Sequence, residues 1–174
     1  MSACALYAKN CHIFFLKEAI TMAQSSTSPT SATDSAVSRS DAWDRAIEQQ
    51  RVALAAYVAG DPGPFWATYS NADDATIFGG FGGWAKGWQD IEQRTSWSSS
   101  QYHDGTGEPR ILSSGHSGDI GYTIHLEHIS VHTGPSATLV DKTYRVTHIF
   151  RWEDEQWKLI HRHADPLIET QAPN

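Results

Sequence analysis

The chain has 174 residues, of which 40% are hydrophobic and seven are tryptophan, and its formal net charge is −7 with a pI near 5.6. This is enough apolar material for one sizeable core, so we expect a single domain with a tail. The acidic balance argues against a nucleic-acid partner, which would need clustered Lys and Arg. The sequence contains no run of about 18 apolar residues, so no membrane-spanning segment is predicted.

The first 40 residues are predicted to be an extension that precedes the domain. Both cysteines, Cys4 and Cys11, lie there, so neither a disulfide framework nor a thiolate metal site supports the body. A run rich in Ser, Thr and Ala follows Met22 and is typical of a disordered segment, which makes Met22 a candidate for the true start. Charged residues interrupt the apolar patches before it, so a secretory signal is weak and a cytoplasmic protein is expected.

Three helices are predicted in the first half of the domain: from Ser40 or Asp41 to about Val58, across 65–69, and from Trp88 to about Ser99. Either Ser40 or Asp41 can cap the first helix, and the glycines and prolines of 60–64 end it. A brief strand is predicted at 75–78. The glycine-rich segment 79–87 predicts a loop, and it has neither the P-loop nor the dinucleotide-binding pattern, so no nucleotide cofactor is expected.

The second half of the chain is strand-like. Its segments are rich in β-branched and aromatic residues and are bounded by Gly, Pro, Asp or Glu turns: 105–115, 119–132, 137–152 and 156–168. Helices followed by consecutive strands indicate an α+β fold, with the helices packed on one face of an antiparallel sheet.

Four stretches, 87–91, 118–122, 144–151 and 157–165, resemble the SnoaL-like branch of the nuclear-transport-factor-like superfamily. The resemblance covers about 41–168, leaves 169–174 as a short tail, and extends to ketosteroid isomerase-like proteins and to the association domain of calcium/calmodulin-dependent kinases. It implies a cone of about three helices against a strongly curved antiparallel sheet, a small-molecule pocket between them, and frequent homodimers. It does not imply one reaction, because superfamily members include isomerases, cyclases, dehydratases and oligomerisation hubs.

The last strand carries ionisable side chains on both faces. Strict alternation places His161, His163 and Asp165 on the side of Trp157 and Leu159. The likeness to the kinase association domain instead implies that His148, Arg162 and Ala164 face the pocket, unless a bulge reverses the parity. The alternative is a set of residues buried in a subunit interface, namely His161, His163, Asp165 and Arg145.

The chemistry expected in such a pocket is acid–base catalysis without a cofactor, as in a lyase, isomerase or hydrolase acting on a small apolar or cyclic molecule. His148 is predicted as acid or base, Arg162 as the anchor of an anion or enolate, and Tyr122 or Tyr69 as a donor. The predicted ligand contacts are Tyr69, Trp66, Trp84, Trp88, Ile91, Ile124 and Tyr144. The alternatives are a noncatalytic ligand binder and a homo-oligomerisation module.

Two specific chemistries are disfavoured by the same residues. Isomerases of the superfamily use a pocket carboxylate as base, and the nearest strand positions here hold Ile124, His125 and Glu127 with no evident Asp base. That departure disfavours steroid isomerase activity. No metal site is predicted, because His125 and His128 point to opposite faces of a strand and the domain has no thiolate.

Overall fold

The computed structural model describes residues 38–133 and 138–168, and within them three helices and six strands. The elements are α1 Arg39–Val58, α2 Gly63–Thr68, β1 Thr76–Phe78, β2 Trp84–Lys86, α3 Trp88–Ser99, β3 Tyr102–Ser117, β4 Ile120–Thr133, β5 Thr138–Glu153 and β6 Gln156–Pro166. The predicted α+β class is confirmed. The extension up to residue 37, with Met22, and the tail 169–174 lie outside the described residues. No helix in the described part is long and apolar enough to cross a membrane.

The six strands form one mixed sheet in the order β2-β1-β6-β5-β4-β3. Strands β3 to β6 pair antiparallel with their neighbours along the chain, as predicted, and β2 pairs antiparallel with β1, but β1 pairs parallel with β6. A fully antiparallel sheet was therefore the wrong expectation. No hairpin joins β1 to β6, so the sequence pattern that indicates a strand at β1 carries no information about its direction.

The glycine-rich segment is only partly a loop. Residues 79–83 form a tight turn in which Gly82 and Gly83 have φ of 83° and 69°, and β2 then returns antiparallel to β1. Ala85 is buried between two exposed neighbours, which is the alternation of a strand with one covered face. The loop predicted over 79–87 was too long because three residues are too few to show this alternation against a glycine background.

Helix α1 begins at Arg39, slightly earlier than predicted. The Oγ atom of Ser38 accepts a hydrogen bond from the backbone N–H of Asp41 at 3.1 Å, so Ser38 caps the helix in place of Ser40 or Asp41. A side-chain hydrogen bond connects the other two helices. Trp66 Nε1 donates to Thr95 Oγ1 at 2.8 Å, which joins α2 to α3.

The core lies between α1 and the sheet. The Trp43 ring packs edge-on against Phe150 and Trp157, with centroid separations of 5.2 Å in both cases. Gly121 leaves the necessary space, because a Cβ there would lie 2.4 Å from a Trp43 ring carbon. Leu159 and Phe150 face each other across β5 and β6 and are fully buried.

A β-bulge at Ile160 sets the direction of the functional side chains on β6. Leu159 pairs with Phe150 and His161 with Ile149, so Ile160 is the extra residue that has no partner on β5. Strict alternation from Leu159 would place His161 inward. The bulge reverses the parity, so that Arg162, opposite His148, points to the helix side of the sheet.

Candidate functional site

A cavity lies between the helices and the sheet, with about 720 Å³ of space between its lining atoms, including the part that opens to solvent. The helices and the glycine turn contribute one side: Gln50, Leu54, Tyr57, Val58, Phe65, Gly79, Gly80, Phe81, Arg94, Thr95 and Ser98. The sheet contributes the other: Ile77, Tyr102, Glu127, Ile129, Tyr144, His148 and Arg162. Half of these 18 residues are aromatic or aliphatic and only three carry a full charge, so those three define the chemistry.

Glu127 and Arg162 form a bidentate ion pair on the sheet side of the cavity. Arg162 Nη1 donates to Glu127 Oε1 at 2.6 Å, and Nη2 donates to Oε2 at 2.7 Å. The side chains are 6% and 15% exposed, respectively, so water contributes little to their solvation. Two parallel charge-assisted hydrogen bonds are the strongest arrangement available to these groups.

Burial alone would raise the pKa of Glu127, but the charge of Arg162 and hydrogen bonds from His125 and Arg162 outweigh it and hold the pKa well below its ordinary value. Burial alone would lower the pKa of Arg162, but Glu127 outweighs that effect and raises it. Both groups therefore stay ionised in the folded protein.

His148 is neutral and has one defined tautomer. Burial, followed by the charges of Arg162 and His125, lowers its pKa well below the ordinary value. Its Nε2 lies 2.8 Å from Arg162 Nη1, and a guanidinium can only donate, so Nε2 accepts and the ring proton is on Nδ1. This Nδ1 is buried and has no hydrogen-bond partner among the described residues.

His125 supports the pair from the neighbouring position on β4. Its Nε2 lies 3.3 Å from Glu127 Oε1, and its Nδ1 lies 3.2 Å from Thr123 Oγ1. The ring packs edge-on against His148, with centroids 4.7 Å apart. These contacts fix the orientation of the carboxylate and of the neutral imidazole.

The potential metal-binding atoms of His125, Glu127 and His148 all lie within 4.8 Å of one another. However, Arg162 donates to both oxygens of Glu127 and to Nε2 of His148. A divalent cation would have to displace a guanidinium that already occupies the lone pairs it needs. The geometry therefore favours an ion-paired group over a metal centre.

Two tyrosine hydroxyls add donors to the cavity. Tyr102 Oη and Tyr144 Oη lie 3.4 Å apart, and burial followed by the hydrogen bond to Tyr144 raises the pKa of Tyr102. The glycine turn packs directly on this pair, because a Cβ on Gly80 would lie 2.5 Å from a Tyr144 ring carbon. Because its pKa is raised, Tyr102 remains protonated and its hydroxyl is able to donate.

The structure places three of the sequence-predicted residues, His148, Arg162 and Tyr144, in the cavity lining. Tyr122 and Ile124, also predicted to face the pocket, lie on the outer face of β4 and are 42% and 44% exposed. Their placement corrects the prediction. The apolar residues at even-numbered positions of β4 suggested the wrong face, because both faces of this strand carry apolar side chains.

The remaining predicted ligand contacts also lie outside the cavity lining. Tyr69 is buried and donates to the carbonyl oxygen of Thr76 at 2.9 Å, and Ile91 is fully buried in the core. Trp66 and Trp88 pack edge-on against each other, and Trp84 is 69% exposed on β2. The three tryptophans predicted as ligand contacts therefore pack between helices or face solvent.

The alternative set occupies the outer face of the sheet. Arg145 and Asp165 form an exposed ion pair across β5 and β6. His161 Nδ1 lies 2.8 Å from Thr76 Oγ1, and the Phe78 ring packs against both His161 and His163, with centroids 5.3 Å apart in each case.

Sequence reasoning missed the partner of Arg162. Glu127 lies on the same face of β4 as Ile129 and Val131, both of which are buried. This two-residue alternation was the sequence signal that could have placed Glu127 inside. Arg94, Tyr57 and Phe65, which also line the cavity, could not be identified because helix–sheet packing decides which helical residues reach it.

Residues 36–169 match the model of the SnoaL-like domain. The chain belongs to this family. The fold is also similar to those of many solved structures, of which three are given as examples. One is a member of the nuclear transport factor 2-like superfamily from Salmonella enterica serovar Typhimurium, at 16% identity and a TM-score of 0.64 over 76% of this chain and 96% of that one.

The second is a ketosteroid isomerase-like protein from Erwinia carotovora, at 16% identity and a TM-score of 0.60 over 72% and 94% of the two chains. The third is an NTF2-like protein from Streptomyces avermitilis whose name proposes dehydratase activity, at 18% identity and a TM-score of 0.58 over 72% and 99%. At these identities the likeness establishes the fold alone. No curated protein matches the chain.

Proposed function

We propose that this SnoaL-like protein binds a small apolar or cyclic molecule in the cavity and acts on it as a cofactor-free lyase or isomerase. The observation that carries the proposal is the ionised Glu127–Arg162 pair, with neutral His148 attached, in the wall of an otherwise largely apolar cavity. A buried ion pair is often less stabilising than apolar residues of the same volume, so its place beside a cavity favours a functional role.

The arrangement suits stabilisation of negative charge on a substrate oxygen. Nδ1–H of His148 is a donor without a hydrogen-bond partner among the described residues, and Arg162 binds Nε2 of the same ring and so fixes its orientation. The hydroxyls of Tyr102 and Tyr144 supply further donors. Donors held in place in a dry site lower the energy of a developing oxyanion without reorganisation at the moment of reaction.

This role differs from the acid–base role first predicted for His148. Its Nε2 lone pair is occupied by Arg162 and its pKa is lowered, so it is a poor base. The pKa of Glu127 is lowered as well, which makes its carboxylate a weak base. The site therefore favours a rearrangement or elimination in which the protein stabilises charge over one in which it removes a strongly held proton.

The same two lowered pKa values favour a second candidate, a binding protein without turnover. Such a protein needs the donors and the shape of the cavity but no group that exchanges protons. Turnover by the purified protein separates the two candidates.

The test begins with native mass spectrometry of the purified protein, followed by denaturing extraction of any retained ligand. Turnover of that ligand, or of a panel of cyclic ketones and hydroxy acids, is then followed by NMR for the wild type, His148→Phe and Arg162→Met. Loss of one donor to a developing oxyanion is expected to lower kcat by roughly 100- to 1,000-fold.

His163→Asn, a substitution at an exposed position on the outer face of the same strand, serves as the control and should leave kcat unchanged. A bound ligand without any product would favour the binding protein. Unchanged binding and turnover in both cavity variants would contradict the site assignment.

A further inference from the structure

We propose that Arg94 makes the cavity selective for an anionic group, so that its substrate is a cyclic or aromatic carboxylate. The inference rests on the proposed function, because it names the substrate class of the same cavity. Two arginines line the cavity, and they differ in whether a protein carboxylate neutralises them.

Arg162 is neutralised: Glu127 accepts from both of its terminal nitrogens. Arg94, on α3, is half-buried and forms no ion pair with a described residue within 4.0 Å. Its one hydrogen-bond acceptor among the described residues is the carbonyl oxygen of Gly82. A guanidinium has five N–H donors, so one carbonyl leaves most of its capacity unused.

The glycine turn keeps the guanidinium in place. A Cβ on Gly83 would lie 2.8 Å from Arg94 Nη2, and one on Gly79 would lie 3.4 Å from Nε. The turn thus approaches the planar group as closely as backbone alone allows. This fixes the direction of the charge without neutralising it, which lowers the ordering cost of binding an anion.

The cavity lining as a whole is cationic, although the chain is acidic. Glu127 is its one carboxylate among the described residues, against Arg94 and Arg162. Lys142 lies just outside, with Nζ 5.3 Å from the Phe81 ring centroid and 5.8 Å from that of Tyr102. Since both rings line the cavity, a second positive charge stands beside the same aromatic wall.

The arrangement fits a ligand with three parts. A carboxylate would pair with Arg94, and a ring would lie among Tyr57, Tyr102 and the aliphatic residues. An oxygen at the far end would accept from His148. An uncharged ligand would leave Arg94 with the Gly82 carbonyl alone.

The experiment compares 4-hydroxybenzoate and 3-phenylpropionate with their primary amides, using isothermal titration calorimetry on the full chain. The wild type is expected to bind the acids about tenfold or more tightly than the amides, because a charge-assisted hydrogen bond is lost with the charge. This preference should weaken as the salt concentration rises. Arg94→Gln should abolish it, Arg94→Lys should keep part of it, and amide binding should be unchanged in both.

Arg110→Gln, at an exposed arginine on β3 outside the cavity, is the matched control and should retain the preference. Equal binding of acids and amides by the wild type would overturn the inference, as would an acid preference that survives in Arg94→Gln. If cyclohexanone binds while none of the acids does, the inference fails and the proposed function stands. If neither acids, amides nor cyclohexanone bind, both fail.

Discussion

Glu127 and Arg162 are tolerated in the interior only because each compensates the other. Arg162→Met would leave a buried carboxylate without its cation, and the expected loss in the free energy of unfolding is about 3–5 kcal/mol. The double variant Glu127→Leu, Arg162→Met should recover most of that loss, because apolar residues of similar volume need no partner. Urea unfolding of the single and double variants measures both quantities.

The exposed pair Arg145–Asp165 joins β5 to β6 on the opposite face and provides the control. Arg145→Met should cost no more than about 1 kcal/mol, because an exposed pair is already well solvated. Equal losses at the two sites would mean that burial does not set the strength of the Glu127–Arg162 pair.

His148 should make stability depend on pH just below neutrality. The folded protein keeps its imidazole neutral, whereas the unfolded chain binds a proton below about pH 6.5. The unfolded state therefore binds more protons there. As the pH is lowered, the free energy of unfolding should decrease by up to about 1.4 kcal/mol per pH unit. Glu127 acts in the same direction, but only below its ordinary pKa of about 4.3, so the window from pH 6.5 to 5 isolates the histidines.

Urea unfolding at several pH values in this window checks the prediction. His148→Gln should flatten the profile. His161→Gln should flatten it less, because burial and His163 also lower the pKa of His161 but that ring is less deeply buried. An unchanged slope in His148→Gln would show that its pKa is ordinary.

The resemblance to known proteins was sufficient to place His148 and Arg162 on the cavity side, but the sequence does not reveal their partner. Arg162 is opposite His148 on β5, whereas Glu127 is opposite Tyr144, four residues away along the same strand. The long arginine side chain crosses β5 diagonally to reach the carboxylate. Such a contact depends on how three strands pair, which strand parity alone does not give.

At the scale of elements, the bulge at Ile160 determines which residues of β6 reach the cavity. Deleting Ile160 would restore strict alternation without changing the pairing, because Leu159 would stay opposite Phe150 and His161 would stay opposite Ile149. Arg162 would therefore still point inward. The loss in the free energy of unfolding should therefore stay below the ~3–5 kcal/mol expected for breaking the buried pair. Chemical unfolding, with NMR spectra as a check of folding, measures it.

Ile160→Val keeps the bulge and should cost about 1 kcal/mol at most, since one methylene is removed from a half-buried side chain. A deletion variant that loses as much stability as Arg162→Met would show that β6 does need the extra residue to orient Arg162.

The elements themselves were largely predictable. Helices α1 and α3 have capping residues or apolar spacing long enough to recognise, and β3 to β6 are long segments between clear turn residues. The bulge and strand β2 were not predictable in the same way. Both are set by neighbours in the sheet, and each involves too few residues for a periodic pattern.

At the scale of the whole molecule, the two faces of the sheet differ in what covers them. The helices cover the inner face, with the cavity between. On the outer face of β4, the exposed apolar side chains are Ile120, Tyr122 and Ile124, next to Leu112 of the bulged β3. Contiguous exposed apolar side chains on a soluble protein mark an interaction surface, which favours the homodimer expected from the family resemblance.

We expect the full chain to form a homodimer through this outer face and the double variant Tyr122→Glu, Ile124→Glu to be monomeric. Two carboxylates placed in a desolvated interface would face their own copies across a twofold axis, and the dissociation constant should rise by at least roughly 100-fold. Sedimentation equilibrium at several protein concentrations measures this. Val52→Glu introduces one such carboxylate at an exposed apolar position on α1 and should leave the dimer intact. A wild-type chain that stays monomeric at tens of micromolar would contradict the expectation, and so would a double variant that dimerises as the wild type does.

Because His148 and Arg162 point to the opposite face of the sheet, the monomeric variant should still bind the cavity ligand, which makes assembly and ligand binding separable properties of this fold.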